Sequence, residues 1–260
     1  MHIHIITDLE GISGIGSIDQ INQESENYRY TLERLMCDVN AAINGAFLGG
    51  ADSVSVTDGH MRGRNFIDEL LDKRALKINL IDYYNQGMHK TTDAFMFVGT
   101  HAMPGTLNGF LDHCQSSTSW YNYYINGIRC GEMVQGGAFC GAYGIPVVMA
   151  SGDEAACKEA KDFFGDIAVA PVKAGIGRNK ASLYDLDESV KRIEDAAKRG
   201  VGLIGSIRPL TFTEPLEIKV EFMRSDYCDN AAERPGVTRV DARCVVKNIP
   251  RITDYMSILI

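Results

Sequence analysis

Two carboxylates, Asp8 and Glu10, stand one residue apart in ITDLEGISG (residues 5–13), directly behind the apolar run that opens the chain. Two further apolar runs end in histidine: SVSVTDGH (53–60) in His60 and AFMFVGTH (94–101) in His101. A third carboxylate, Glu132, opens EMVQGGAFCGAYG (132–144). Residues i and i+2 of a strand point to one face, so Asp8 and Glu10 project together if the strand continues through them. Carboxylates that close repel unless positive charge lies between them or one stays protonated. Three carboxylates and two imidazoles form a hard-to-borderline donor set, which suits zinc, manganese or iron better than copper(I) or calcium. Five ligands are one too many for a tetrahedral zinc with an open position, and about right for two metals sharing a bridging carboxylate. Asp8, short and at a strand end, is the natural bridge. Two metals about 3.5–4 Å apart would generate a hydroxide and polarise a carbonyl. Each residue alone is commoner as a turn former, a helix cap or a structural histidine. Their placement at the ends of three separate apolar strands is what points to a metal.

The elements that must position these residues alternate. Strands are expected over 2–7, 53–60, near 77–81, over 94–101 and 145–151, and near 216–223 and 237–246. Leu32, Leu35, Met36, Val39, Ile43 and Phe47 recur at spacings of three and four, which predicts an amphipathic helix over 28–51 stopped by Gly49-Gly50. Further helices are expected around 66–72, over 132–144, over 153–164 with Asp153 as N-cap, and over 185–200. Asn126-Gly127 marks the turn of a hairpin within 119–132. Such alternation implies an α/β layered fold, with a mainly parallel central sheet flanked by helices. In open parallel sheets ligands bind outside the carboxyl ends of the strands. A metal site is therefore expected there, in a single catalytic domain over 1–260, with the part from about 206 able to form a subdomain.

Composition sets the surroundings. The chain has 260 residues, 45% of them hydrophobic and 23% charged, enough to bury a core. A formal net charge of −8 argues against nucleic acid or an anionic membrane as partner. Seven cysteines without a CxxC spacing fit small buried hydrophobes in a reducing compartment better than a disulfide framework or a zinc finger. No secretory leader pattern and no run long enough to span a bilayer is visible, so a cytoplasmic location is expected.

Other polar residues compete for roles. His2 and His4 share strand parity with Asp8, but His4 would lie about 13 Å from it at ~3.3 Å per residue. Cys114 beside His113 suggests a thiol nucleophile, although adjacent residues rarely make a working dyad. The glycines of EGISGIGS (10–17) resemble a phosphate loop, yet an acidic pair precedes them and no GK[ST] follows. They are better suited to passing backbone close to a metal centre. Asp153 is expected as a helix cap rather than a substrate contact. Lys173 and Arg178 could meet a substrate carboxylate or lie on a solvated loop. Asn65 could anchor the loop after His60.

The segments TDLEGISG (7–14), TDGH (57–60), VGTHA (98–102), LDHC (111–114), INGIRCGE (125–132) and PVVMASGDE (146–154) occur in this order. Together they resemble the M55 family of zinc D-aminopeptidases, most strongly over 1–180. The resemblance implies that Asp8 bridges two zinc ions per chain. Glu10 and His101 would complete one site, and His60 and Glu132 the other. It makes His113 the catalytic histidine, expected to donate to a developing oxyanion or to shuttle a proton. It also implies a large ring-like homo-oligomer with active sites facing an internal chamber. Two departures stand out: Asp112 and Cys114 where the family often has a serine, and LMCDVNAA (35–42) where a Thr-Glu-Glu run is usual.

The function expected is hydrolysis of the N-terminal amide bond of short peptides, including ones with D-residues, by a metal-activated water. A dinuclear metal phosphoesterase would use the same ligands but want basic residues, for which the strand ends offer Arg62 and Arg64. A metal-stabilised binding protein without turnover would keep the ligands without needing His113.

Overall fold

The computed structural model describes residues 1–61 and 63–260. The chain runs through β1 (His2–Thr7), α1 (Tyr28–Leu48), β2 (Ser53–Asp58), β3 (Ala75–Lys77), α2 (Leu80–Asn85) and β4 (Ala94–Thr100). A hairpin of β5 (Trp120–Ile125) and β6 (Ile128–Cys130) follows, then α3 (Glu132–Ala142), β7 (Val147–Asp153) and α4 (Glu154–Phe164). Next come β8 (Ala168–Gly177), β9 (Lys180–Leu183) and α5 (Leu186–Gly202). The last elements are β10 (Leu216–Phe222), α6 (Ser225–Ala232), β11 (Val237–Asp241) and β12 (Cys244–Ile249).

Seven strands form the central sheet in the order β3-β2-β1-β4-β7-β8-β9. All neighbouring pairs are parallel except β8 with β9. A second, antiparallel sheet has the order β11-β12-β10-β5-β6. One face of the central sheet presents Ile3, Ile5, Met96 and Val98 to α1 and α5. Phe95 and Phe97 belong instead to a cluster with α3, the second sheet and the last residues of the chain.

The order reverses beside β1, because the chain moves outward to β2 and β3 and then returns to pair β4 on the other side of β1. This switch point is where open α/β sheets bind ligands. β1 stops at Thr7, so strand parity is not what brings Asp8 and Glu10 together. The segment instead leans on β4: Asp8 N–H donates to Val98 O at 2.8 Å and Gly11 N–H to Gly99 O at 2.7 Å. A Cβ on Gly11 would stand 2.0 Å from Thr100 O, and Gly99 has φ +74°. Both positions need glycine for the two chains to run that close.

Several expected elements differ. No helix forms over 66–72: Asn40 of α1 accepts from Asp72 N and donates to Leu70 O, ending the segment as a turn. The strand expected near 77–81 is shorter and earlier, because the Asn79 side chain caps Asp82 N at 2.8 Å and starts α2. The segment 237–246 is two strands, β11 and β12, joined by a turn. β8, β9 and α6 form where no element is expected from the sequence. Pro171 and two glycines in β8 obscure its strand character, although Ala168–Ala170 carries apolar residues into the sheet. The Asn126-Gly127 turn is present, with φ +50° and +77°.

Candidate metal centre

Asp8 and Glu10 follow β1, His60 follows β2, His101 follows β4 and Glu132 is the first residue of α3. All five meet at the carboxyl ends of the strands. Asp8 uses one oxygen toward each side: Oδ1 lies 3.1 Å from His60 Nδ1 and Oδ2 lies 3.3 Å from His101 Nε2. Glu10 Oε2 is 3.0 Å from His60 Nδ1. Glu132 Oε1 is 3.5 Å from His101 Nε2 and 3.6 Å from His113 Nε2. The donor atoms of Asp8, Glu10 and His60 form one cluster, and those of His101, His113 and Glu132 a second. These contacts pair Glu10 with His60 and Glu132 with His101, a different partition from the one the resemblance implies. Imidazole and carboxylate face each other directly here, at 3.0 Å for Glu10 with His60 and 3.5 Å for Glu132 with His101.

The donor chemistry fits divalent cations. Glu10 Oε2 is buried with no aligned hydrogen bond despite its short distance to His60, leaving a lone pair aimed into the site. His101 Nδ1 contacts Ala102 O at 3.0 Å and His113 Nδ1 contacts Leu111 O at 2.8 Å. With each Nδ1–H given to a main-chain carbonyl, each Nε2 is turned toward Glu132. This is the outer support that ligating histidines ordinarily have. His113 stacks on His101 with ring centroids 4.0 Å apart.

The electrostatics agree. Burial alone would lower the pKa of His60, but the charges of Glu10 and Asp8 and their hydrogen bonds outweigh it and push it up to about 11. His101 is raised for the same reason, burial being outweighed by Glu132, Asp8 and Glu10. Asp8 is held well below the usual carboxylate range: burial opposes this, and the His60 hydrogen bond and the His101 charge prevail. Glu132 is lowered against its burial by the His101 hydrogen bond and charge. A pocket that binds protons this tightly is a pocket of concentrated negative potential, and cations compete for the same atoms.

The supports of these side chains lie largely outside the expected motifs. Asp58 accepts from His60 N at 3.2 Å and from Asn65 N at 2.5 Å. Asn65 donates to His60 O at 3.0 Å and accepts from Tyr28 OH at 2.7 Å, so it does anchor that loop. The Glu10–Ile15 loop is held from two directions. Asp38 of α1 accepts from Ser13 N and Oγ at 2.7 and 2.6 Å. Lys173 of β8 is fully buried and donates to Glu10 O at 2.6 Å and Ile15 O at 2.8 Å. Lys173 is thus neither a substrate contact nor a solvated loop residue. Burial pulls its pKa down to about 7, against the charges of Asp153, Asp38 and Glu10.

Glu159 of α4 is also buried, and its Oε2 accepts from Met103 N at 2.7 Å behind His101. Its Oε1 has no partner and would lie 3.2 Å from a Cβ on Gly131, the residue before Glu132. Burial raises Glu159 to about 7. Gln115, at φ +59°, donates its main-chain N–H to Glu132 Oε1 at 2.6 Å. The sequence signals for these residues were a lysine inside an apolar run and a glutamate on the apolar side of a helix.

The remaining candidates fall elsewhere. His4 is buried within β1, its ring tilted against Tyr83 with centroids 4.0 Å apart and bonded to Ser55 Oγ, with its pKa depressed by burial. His2 bonds to the same Ser55 hydroxyl. Cys114 is buried, accepts from Gln135 Nε2 and has its thiol pKa raised by burial, which makes it a poor nucleophile. Asp153 caps α4 through Ala156 N and uses its other oxygen to hold Phe110 N at 2.6 Å. Asp112 accepts from Gly105 N and lies 3.6 Å from Arg178, leaving His113 free of it. Arg64 is exposed, and Arg62 lies outside the described residues. Among the described residues no helix is long and apolar enough to cross a membrane.

A family model described as D-aminopeptidase, peptidase M55, matches residues 1–260. A D-aminopeptidase of Bacillus subtilis (strain 168) is 26% identical over 239 residues, covering 91% of this chain and 86% of the relative. A solved structure, described as a Zn-dependent D-aminopeptidase, DppA, from Bacillus subtilis and a self-compartmentalizing protease, superposes with a TM-score of 0.93. It is 24% identical, with 100% of this chain and 95% of that chain covered, and it has the same fold.

Proposed function

The chain belongs to the M55 family of D-aminopeptidases and is a peptidase, and on that premise we propose that it is a dinuclear zinc aminopeptidase acting on short peptides, including ones with D-residues. The observation that carries the dinuclear reading is Asp8, whose two carboxylate oxygens each face a different imidazole, His60 and His101. Asp8, Glu10, His60, His101 and Glu132 would hold two ions, with Asp8 between them. The zinc dependence described for the Bacillus subtilis neighbour supports the choice of metal. Bound divalent ions supply Lewis acidity, lowering the pKa of water and polarising a carbonyl.

The chain's own residues do the rest. His113 keeps its Nδ1 on Leu111 O and so presents Nε2 to the site, where it can hold or pass a proton or donate to a developing oxyanion. Gln115 N–H and His101 fix the Glu132 carboxylate. Lys173 and Asp38 hold the Glu10 loop in place, so its carboxylate is set before substrate arrives. The self-compartmentalizing assembly described for the same neighbour supports a homo-oligomer here, and a cytoplasmic location is part of the proposal.

The test is release of free amino acids from matched L- and D-dipeptides by the zinc-loaded protein. Release from D-dipeptides that stops on chelation supports the proposal. Zinc-loaded protein that cleaves neither series refutes it.

A further inference from the structure

A cleft of about 710 Å³ adjoins the metal centre, and both Asp8 and Glu132 line it. That volume lies within the roughly 300–1,000 Å³ of small-ligand pockets. Its walls away from the ligands are mainly apolar: Ile6 and Phe97 from the sheet, Leu80 from α2, Met133 and Phe139 from α3, and Tyr255 near the end of the chain. The phenol of Tyr255 is fixed by Gln115 Nε2 at 3.1 Å, and the Gln115 main chain holds Glu132. Tyr255 therefore stands where the polar centre gives way to the apolar walls. The charged residues described on the walls are Asp8, Asp58, Asp82 and Glu132, all acidic. With Asp8 and Glu132 committed to the metals, Asp58 and Asp82 are the carboxylates left on the walls to attract an ammonium group.

We infer that this cleft seats the N-terminal residue of the peptide and is shaped for a bulky apolar or aromatic side chain rather than for alanine. The inference rests on the aminopeptidase reading for its orientation: the substrate's amine meets the acidic wall of Asp58 and Asp82 while its side chain lies against Phe97, Met133 and Phe139. Leu80 and Ile81 form the outer wall, contributed by the short helix α2, which carries none of the proposed ligands.

Calorimetric titration of the zinc-loaded protein with phenylalaninol and with alaninol, each in both enantiomers, reads the subsite without turnover, because neither probe carries an amide bond to cleave. The expected result is tighter binding of phenylalaninol by about tenfold or more, with the preference collapsing in Leu80→Trp. Ile81→Trp, at an exposed position of the same wall, supplies the same reading should Leu80→Trp fail to fold. Equal affinities, or a preference untouched by the tryptophan variants, overturn the inference. A changed particle mass in light scattering with the preference untouched assigns the wall to an interface between copies and also overturns it. Dipeptide hydrolysis measured in parallel separates the two readings: binding preference without hydrolysis refutes the peptidase mechanism and leaves the subsite standing.

Discussion

The imidazoles of His101 and His113 lie face to face, centroids 4.0 Å apart and planes 13° from parallel, each with Nδ1 on a main-chain carbonyl. The rings look alike but sit differently. His101 Nε2 faces both Asp8 and Glu132, whereas His113 Nε2 faces Glu132 alone. His113→Ala should lower kcat by about 10²–10⁴-fold while leaving metal content intact. His101→Ala should lose metal first. Metal analysis beside turnover distinguishes them, and equal metal loss in both variants would count against His113 as the proton-handling residue.

Metal loading should expel protons. His60, raised to about 11, and His101, also raised, carry protons at neutral pH, and a cation must displace them. Zinc titration of the metal-free protein in two buffers of different ionisation enthalpy should give enthalpies that differ by about two protons' worth per chain. The apparent affinity should fall as pH is lowered. Identical enthalpies in the two buffers would show that the imidazoles are already neutral.

Glu159 predicts a pH slope in stability. Its folded pKa, about 7, lies above the ordinary 4.5 because of burial. The folded state therefore binds the proton more tightly. The contribution to stability is full below about pH 4.5 and is lost as pH rises through about 7. The shift corresponds to roughly 3 kcal/mol. Glu159→Gln should unfold with a shallower decline between pH 5 and 8 than the parent, measured by denaturant melts across that range. Parallel curves would remove Glu159 from the account.

Lys173 touches no proposed ligand side chain: its Nζ donates to the carbonyls of Glu10 and Ile15 and lies 4.5 Å from the Phe110 ring centroid. Lys173→Met keeps the apolar stem and strands both carbonyls, at a cost of about 1–3 kcal/mol for each buried group left unpaired. Zinc affinity should fall by about tenfold or more, because the Glu10 loop is no longer held. A variant of unchanged affinity but lower melting temperature would make Lys173 a stabilising residue alone.

The five ligand candidates were legible because each terminates an apolar run or opens a helix, and chain order at a sheet end converts that pattern into proximity. The parallel sheet followed from the same alternation. The supports were not legible, for physical reasons. Lys173 sits inside a strand whose Pro171 hides it, and its partners are carbonyls 158 and 163 residues away in sequence. Asp38 lies on a helix within LMCDVNAA, where its buried bonds to Ser13 cannot be told from a surface charge. Strand parity was the wrong reason for joining Asp8 to Glu10. Hydrogen bonds from Asp8 and Gly11 to β4, made possible by glycine, are what set them.

The proposed function stands on a pair of cations held across Asp8. Zinc counted per chain by elemental mass spectrometry, in the parent protein and in Asp8→Asn, tests it most directly. Two zinc ions are expected in the parent and one or none in the variant. One ion or none in the parent, or two retained in Asp8→Asn, would contradict it.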